Sequence, residues 1–362
     1  MRAFGWLASA VALTAAVIAP RPAAADTMDP ALARLADASC RVGVGTGVYY
    51  NPTSGFTPCK RNDAAFAKLV AQYGAAIAPT AMHSARTTGY GGFELAIEGD
   101  FTTIDNTADY WKLGTQGPQD PSSKNFSVRN KEPPGMLQLW TFKIRKGFPF
   151  GVELTGNFGY LAQSSIYTLG ADVRWSLFEG FRTGIPAIFP ELAVGGSVRT
   201  ITGSDQLQLT VVGVDAQISK PVPIAGTAVL TPWIGYQFLR IFGDSGLVDM
   251  TPNTDAVNLC GYAGNNTPAT PDPAKQYADG QPVCAKGTSA DFNNTTVFNA
   301  ARLNRHRIVA GLQVRVQMVM LGFQFMYDLV DPAAANKPDS GENVYEGVKR
   351  QMTIALDLGA VF

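Results

Sequence analysis

The charged residues of this chain recur at every second position within stretches that are otherwise apolar, and they are the side chains best placed to do chemistry. Glu94, Glu98 and Asp100 share one parity, Lys143 and Arg145 another, and Glu153, Asp172, Arg174, Arg199, Arg315, Asp328 and Asp357 continue the pattern downstream. In a β-strand, period two places such residues on one face. Both signs are present, so that face can neutralise itself by ion pairing or guide small polar solutes. Of the two histidines, His83 precedes these stretches and His306 follows Arg305 without a nearby acidic pair. Neither a Gly-x-Ser-x-Gly elbow nor a His-Glu-x-x-His motif occurs, and no catalytic residue is assigned. A Ser, His and acid set can assemble only in the fold, which leaves an enzyme as a third function class.

Cys40 with Cys59 and Cys260 with Cys284 form two sequence-local pairs. As disulfides, each would close a loop of about 20 residues and contribute roughly 3 kcal/mol if unstrained. No Cys-x-x-Cys spacing accompanies them, so neither a metal site nor a cofactor is expected. Asp272, Asp279 and Asp291 are too scattered for a calcium loop and read as solvated charge.

The elements that position these residues begin with an export signal. Arg2, the apolar stretch Phe4 to Ile18 and the small residues Ala23, Ala24 and Ala25 read as a signal peptide over 1–25. No later run reaches the 18 apolar residues of a membrane helix, so any span must be made of strands. Residues 26–90 are not strand-like. Asn62 or Asp63 suits an N-cap, Phe66, Leu69, Val70 and Tyr73 share a helical face, Gly74 suits a stop, and a shorter helical stretch covers Pro30 to Ala36. This small, partly helical element is expected as a periplasmic cap or as a plug in the lumen.

From Gly92 the pattern predicts ten strands, near 92–105, 136–147, 151–161, 164–179, 191–203, 206–222, 228–243, 305–317, 321–330 and 348–362. Each can supply the roughly 9 to 11 residues of a tilted membrane strand. In the sixth, the apolar positions shift from Leu207, Leu209 and Val211 to Val214, Ala216 and Ile218, which predicts a bulge near Val212 that turns Asp215 inward. A strand at 77–88 or inside the long loop would raise the count to eleven, and both to twelve. The connections 106–135, 244–304 and 331–347 are long and 148–150 and 318–320 short, although those near 162 and 204 are tight where the alternation calls for length. Phe93, Phe101, Tyr160, Tyr167, Tyr327 and Phe362 sit on the apolar face near strand ends, as interfacial girdles require.

The 362 residues carry 29 basic and 29 acidic side chains, without the basic footprint of a nucleic-acid binder. Charged residues make up 16%, against roughly 25% in soluble domains. Mean hydropathy is +0.02, the average expected when lipid-facing and water-facing residues alternate.

The final strand, Met352 to Phe362, closes on an aromatic residue and resembles the assembly signal of bacterial outer-membrane β-barrel proteins. Together with the signal peptide and the loop asymmetry, the resemblance covers the mature chain without a subfamily motif. It implies an all-β, transmembrane, antiparallel up-and-down barrel over 91–362 with a long extracellular loop 244–304. The implied partners are outer-membrane lipid and the barrel assembly machinery, which would read the strand ending at Phe362. About ten strands leave a lumen largely filled by side chains, hence a narrow or obstructed pore with opposite charges pairing across it. The expected function is passive transport of small polar or amphipathic solutes. The alternative is a structural or surface-interaction barrel whose lumen charges give rigidity and whose loop meets partners. The two cysteine pairs are expected at opposite ends.

Overall fold

The computed structural model describes residues 26–35, 61–118 apart from 82, 130–178, 189–249 apart from 225, 259–262 and 282–286 (backbone only), and 295–362. The signal peptide, Cys40, Cys59 and most of the loop 244–304 lie outside the described residues.

Ten strands form one closed antiparallel meander. They are β1 (Phe93–Thr103), β2 (Met136–Gly147), β3 (Val152–Leu161), β4 (Tyr167–Ser176), β5 (Glu191–Thr202), β6 (Leu207–Ser219), β7 (Ala228–Ser245), β8 (Ala301–Val316), β9 (Val319–Asp328) and β10 (Met352–Val361). Each pairs with its neighbours in sequence, and β1 pairs with β10 from Glu94 opposite Val361 to Thr102 opposite Thr353. Closure leaves no unpaired edge, the condition for strands in hydrocarbon. No described helix is long and apolar enough to cross a membrane.

Ten is therefore the barrel count. Residues 77–88 form no strand, and the long loop contributes a separate ribbon, Leu259–Tyr262 against Pro282–Lys286, that stays out of the barrel sheet. In that ribbon the backbone register sets Cys260 opposite Cys284. A three-residue strand, Val222–Ile224, pairs with the start of β7.

Burial alternates along the strands. On β2, Leu137, Leu139, Thr141, Lys143 and Arg145 are buried while Gln138, Trp140, Phe142 and Ile144 are exposed. The same outward face continues through Leu154, Phe158, Leu169, Val173, Ile234, Leu321, Phe323, Leu356 and Leu358. A soluble protein rarely exposes so extensive an apolar surface, and a belt around a closed sheet is satisfied by lipid.

The described parts of the N-terminal element pack inside the barrel. Helix α1 (Asp63–Ala76) is capped by Asn62, whose side chain accepts from the Ala65 N–H at 2.9 Å. From Phe66 onward all its residues except Lys68 are buried, the pattern of a helix enclosed on every side. Around it lie Leu137, Leu139, Leu161, Leu207, Leu209, Val211, Leu239, Ile241 and Leu303 from the barrel wall, together with Met28, Leu32 and Leu35. The cap placement is thereby corrected. Met28 N donates to Gln163 O, Leu32 N to the Gln206 side chain and Asn299 N to Asp63, so the element sits at the end bearing the long loops.

Three further expectations change. The stretch Pro30 to Ala36 supplies only a 3-10 turn, Leu32–Arg34. Helix α1 runs past Gly74, whose role is close approach: a Cβ there would lie 2.5 Å from Ile241 Cγ2. Strand β6 has no bulge, since its register with β5 and β7 is unbroken and Leu207, Leu209, Val211, Gly213, Asp215 and Gln217 all point inward. The apolar residues at its start face α1 instead of lipid. The residues flanking Cys40 and Cys59, Leu35 and Arg61, also lie at the loop end, with Arg61 donating to Thr296 and Asn299.

Candidate functional site: the charged lumen

Beyond α1 the chain descends through the lumen as an irregular segment, 77–90, and re-emerges at the opposite, short-turn end as β1. Ile77 and Ala78 pack in the apolar cluster around α1 and Ala81 packs with Trp233, Val309, Met326 and Ala355, and polar contacts also join the segment to the wall. Gln237 Nε2 donates to Pro79 O at 3.0 Å and Gln217 Nε2 to His83 O at 2.9 Å. Thr80 donates to Glu98 at 2.7 Å, Ala85 N to Ser219 Oγ at 3.0 Å, and Thr88 N to Glu153 at 2.7 Å. The lumen thus has an apolar half around α1 and a polar half around this segment.

The polar half gathers the alternating charges. Glu94, Glu98, Asp100, Lys143, Arg145, Glu153, Arg174, Arg199, Asp328 and Asp357 are buried, and Asp172 and Asp215 are half-buried, all on inward parity. Arg315 is the exception: it has inward parity but lies at the turn end, where it is exposed and its Nε donates to Gln317 O at 3.0 Å. Its strand reaches the rim one pair before the turn, so the side chain never enters the lumen.

Opposite charges pair along the wall more than across it. Arg145 lies 2.6 Å from Glu94, its direct cross-strand partner, and 3.3 Å from Glu153. Lys143 contacts Glu98 at 2.6 Å and donates to Thr80 at 2.8 Å. Arg174 reaches Asp215 at 3.2 Å across the intervening β5. That reach depends on Gly195, where a Cβ would sit 2.6 Å from the Asp215 carboxylate. Arg199 stands 4.0 Å from Asp100. Arg199 on β5 and Asp100 on β1 are four strands apart, so this pair does reach across the lumen past segment 77–90.

Residue-type reasoning missed three participants. His83 lies in the lumen with Nε2 3.2 Å from Glu153, although it precedes the barrel in sequence. Arg305 pairs with Asp328 at 2.5 Å and also donates to Ala71 O of α1 at 2.9 Å, joining wall to plug. Arg307 donates to Gln237 at 2.9 Å. The two arginines share the inward parity of Gln313, a signal available from alternation, whereas His83 carried none.

A void of about 20 Å3 remains between segment and wall, lined among others by Thr80, His83, Lys143, Arg174 and Asp215. That is room for one water. Asp100 and Asp357 are buried with neither carboxylate oxygen hydrogen-bonded among the described residues. Burial without a hydrogen bond is costly, so the polar half is less well satisfied than the apolar half.

No family model matches the chain, and no curated protein does. Among solved structures it is similar to Ail, the attachment invasion locus protein of Yersinia pestis, at 9% identity over 75% of this chain and 99% of that one, with a TM-score of 0.26. An outer membrane channel from Pseudomonas putida F1 matches at 10% identity over 75% and 96%, with a TM-score of 0.27. The transport unit of the autotransporter AIDA-I from Escherichia coli matches at 8% over 83% and 98%, with a TM-score of 0.32. Likenesses this slight say nothing of substrate or partner. The closed ten-stranded meander, its apolar exterior and its charged, filled interior themselves give the chain the architecture of a bacterial outer-membrane β-barrel protein.

Proposed function

We propose that the protein is a non-enzymatic channel of the bacterial outer membrane, closed at rest by its own N-terminal plug and admitting small polar solutes when that plug leaves the lumen. The observation that carries this reading is the division of the lumen. Helix α1 is held by apolar packing, whereas 77–90, apart from the apolar contacts of Ile77, Ala78 and Ala81, is held by side-chain hydrogen bonds to a wall lined with both charge signs. Water can replace such bonds at little net cost, about 1 kcal/mol each, while apolar packing has no such substitute. Opening therefore begins with the segment, and a continuous path also needs α1, which the wall encloses on every side, to leave the loop-end half. Insertion of the barrel would use the strand ending at Phe362, through the assembly machinery.

Single-channel recording in planar bilayers tests the reading. The native chain should be closed most of the time, and Gln217→Ala combined with Gln237→Ala should raise open probability roughly tenfold or more, as two lost tethers predict. A bilayer that stays sealed with this variant and after deletion of residues 26–90 would refute the channel and favour the surface-interaction barrel.

A further inference from the structure

The outward face carries a localised basic and aromatic patch. Among the described residues of the ten strands, the outward positions hold five Lys, Arg, His, Asp or Glu side chains: Lys146, Arg240, Asp244, Arg302 and His306. Lys146 is at the turn end. The other four lie together on β7 and β8 at the loop end, in register as Arg240 opposite Asn304, Phe242 opposite Arg302 and Phe238 opposite His306.

Their depth follows from the apolar stripe. On β8 the outward residues Ile308, Ala310, Leu312, Val314 and Val316 are apolar without interruption. Nine residues at about 3.4 Å each, tilted by about 40°, span roughly 23 Å, close to the height of about 25 Å of a membrane barrel's apolar band. His306, Asn304 and Arg302 follow beyond Ile308, at the depth of lipid headgroups. On neighbouring β6, Val212 stands opposite Arg240, and the polar but uncharged Thr210 and Gln208 stand opposite Phe242 and Asp244.

The patch is built rather than scattered. Arg302 is fixed by Asp244 at 2.7 and 3.0 Å and by the carbonyls of Gly243 and Ala301, both at 2.9 Å. Its guanidinium lies 5.5 Å from the Phe242 ring centre, and that of Arg240 lies 5.8 Å from it. Arg240 donates one bond, to Asn304 at 2.8 Å, and among the described residues no carboxylate pairs with it. Tyr236 Oη and His306 Nδ1 are 2.5 Å apart, and Phe238 packs on the His306 ring.

We propose that this patch binds the phosphoryl group of a lipid headgroup in the leaflet at the loop end. The remaining fork of Arg240 suits a phosphate oxygen pair, and Asn304 and His306 border the same spot. The interleaved Phe238 and Phe242 face apolar lipid below the phosphate, which favours a phospholipid or phosphoglycolipid over a free anion. The inference rests on the barrel being embedded in lipid and is independent of whether the lumen conducts.

The full chain, refolded in neutral detergent, can be titrated with diphosphorylated glucosamine-disaccharide lipid, with its dephosphorylated form and with inorganic phosphate, and bound lipid counted by native mass spectrometry. A charge-assisted contact predicts about tenfold preference for the phosphorylated lipid. That preference should disappear in Arg240→Gln, survive in part in Arg240→Lys, and persist in Lys146→Gln, with heat-modifiable gel mobility confirming that each barrel is folded. Equal preference in Arg240→Gln and Lys146→Gln would overturn the assignment. So would inorganic phosphate competing as strongly as the phosphorylated lipid, which would leave only a small-anion site.

Discussion

Exchanging adjacent residues of β8 for arginine separates the two faces of the barrel with little other change. Leu312 is 39% exposed and lies between Pro232 and Phe323, in the middle of the outward apolar stripe. Leu312→Arg puts a guanidinium at the membrane midplane, at a cost of roughly 2–4 kcal/mol. Gln313 points inward, beside Met320 and with its amide oxygen 3.3 Å from Ser84 N. Gln313→Arg forfeits that weak bond, worth about 1 kcal/mol. Its neighbour Gly322 has no side chain, and beyond Gly322 in register stands Asp357, whose carboxylate oxygens are unpartnered among the described residues. Two strand spacings are about 10 Å, within the reach of an arginine leaning across a glycine. The new charge on the lumen side therefore finds a counter-ion. The expected gap between the variants is about 1–3 kcal/mol, roughly 5- to 150-fold in the folded ratio. Refolding from urea into lipid vesicles, read by heat-modifiable gel mobility, measures both. If Gln313→Arg is the more damaging, the inside and outside of β8 are reversed, and the lumen described above with them.

Gly243→Ala should loosen the plug, because a Cβ there collides with Val70. Overpacking costs about 1–3 kcal/mol, and limited proteolysis should cut within 77–90 faster while the barrel stays folded. Asp328→Ala should destabilise far more than Asp244→Ala. It strips the buried partner of Arg305, an uncompensated charge worth about 3–5 kcal/mol, whereas the Arg302–Asp244 pair is half-exposed and worth about 1 kcal/mol; urea midpoints compare them. A thiol at exposed Asp339 (Asp339→Cys) should react with an impermeant reagent on intact cells, and one at Met318 (Met318→Cys) should not; labelling at Met318 would invert the orientation. A non-reducing peptide map should return Cys260 joined to Cys284, in keeping with their backbone register.

Period two by itself determined most of the barrel. The alternation in β3, β4 and β8 fixed which residues face lipid, because a strand has no freedom to change faces without a bulge, and the strand limits fall within a few residues of the observed ones. Lumen parity for Glu98, Lys143, Arg174 and Asp357 followed from the same rule. The local rule failed where an inward face is apolar. Leu207, Leu209 and Val211 look lipid-facing in isolation, and only the presence of α1, more than 130 positions earlier in the chain, makes the inside of the wall hydrophobic at that level. The same long-range packing decided that residues 26–35 and 61–76 lie at the loop end instead of capping the other, and that His83 meets Glu153. Arg315 escaped the lumen because parity gives a side chain's direction but not its depth, which is set by where the closed sheet meets its turn. Direction is a property of the local backbone and can be read residue by residue. Enclosure depends on which distant segment occupies the space a closed barrel creates, and that space exists only once all ten strands have met.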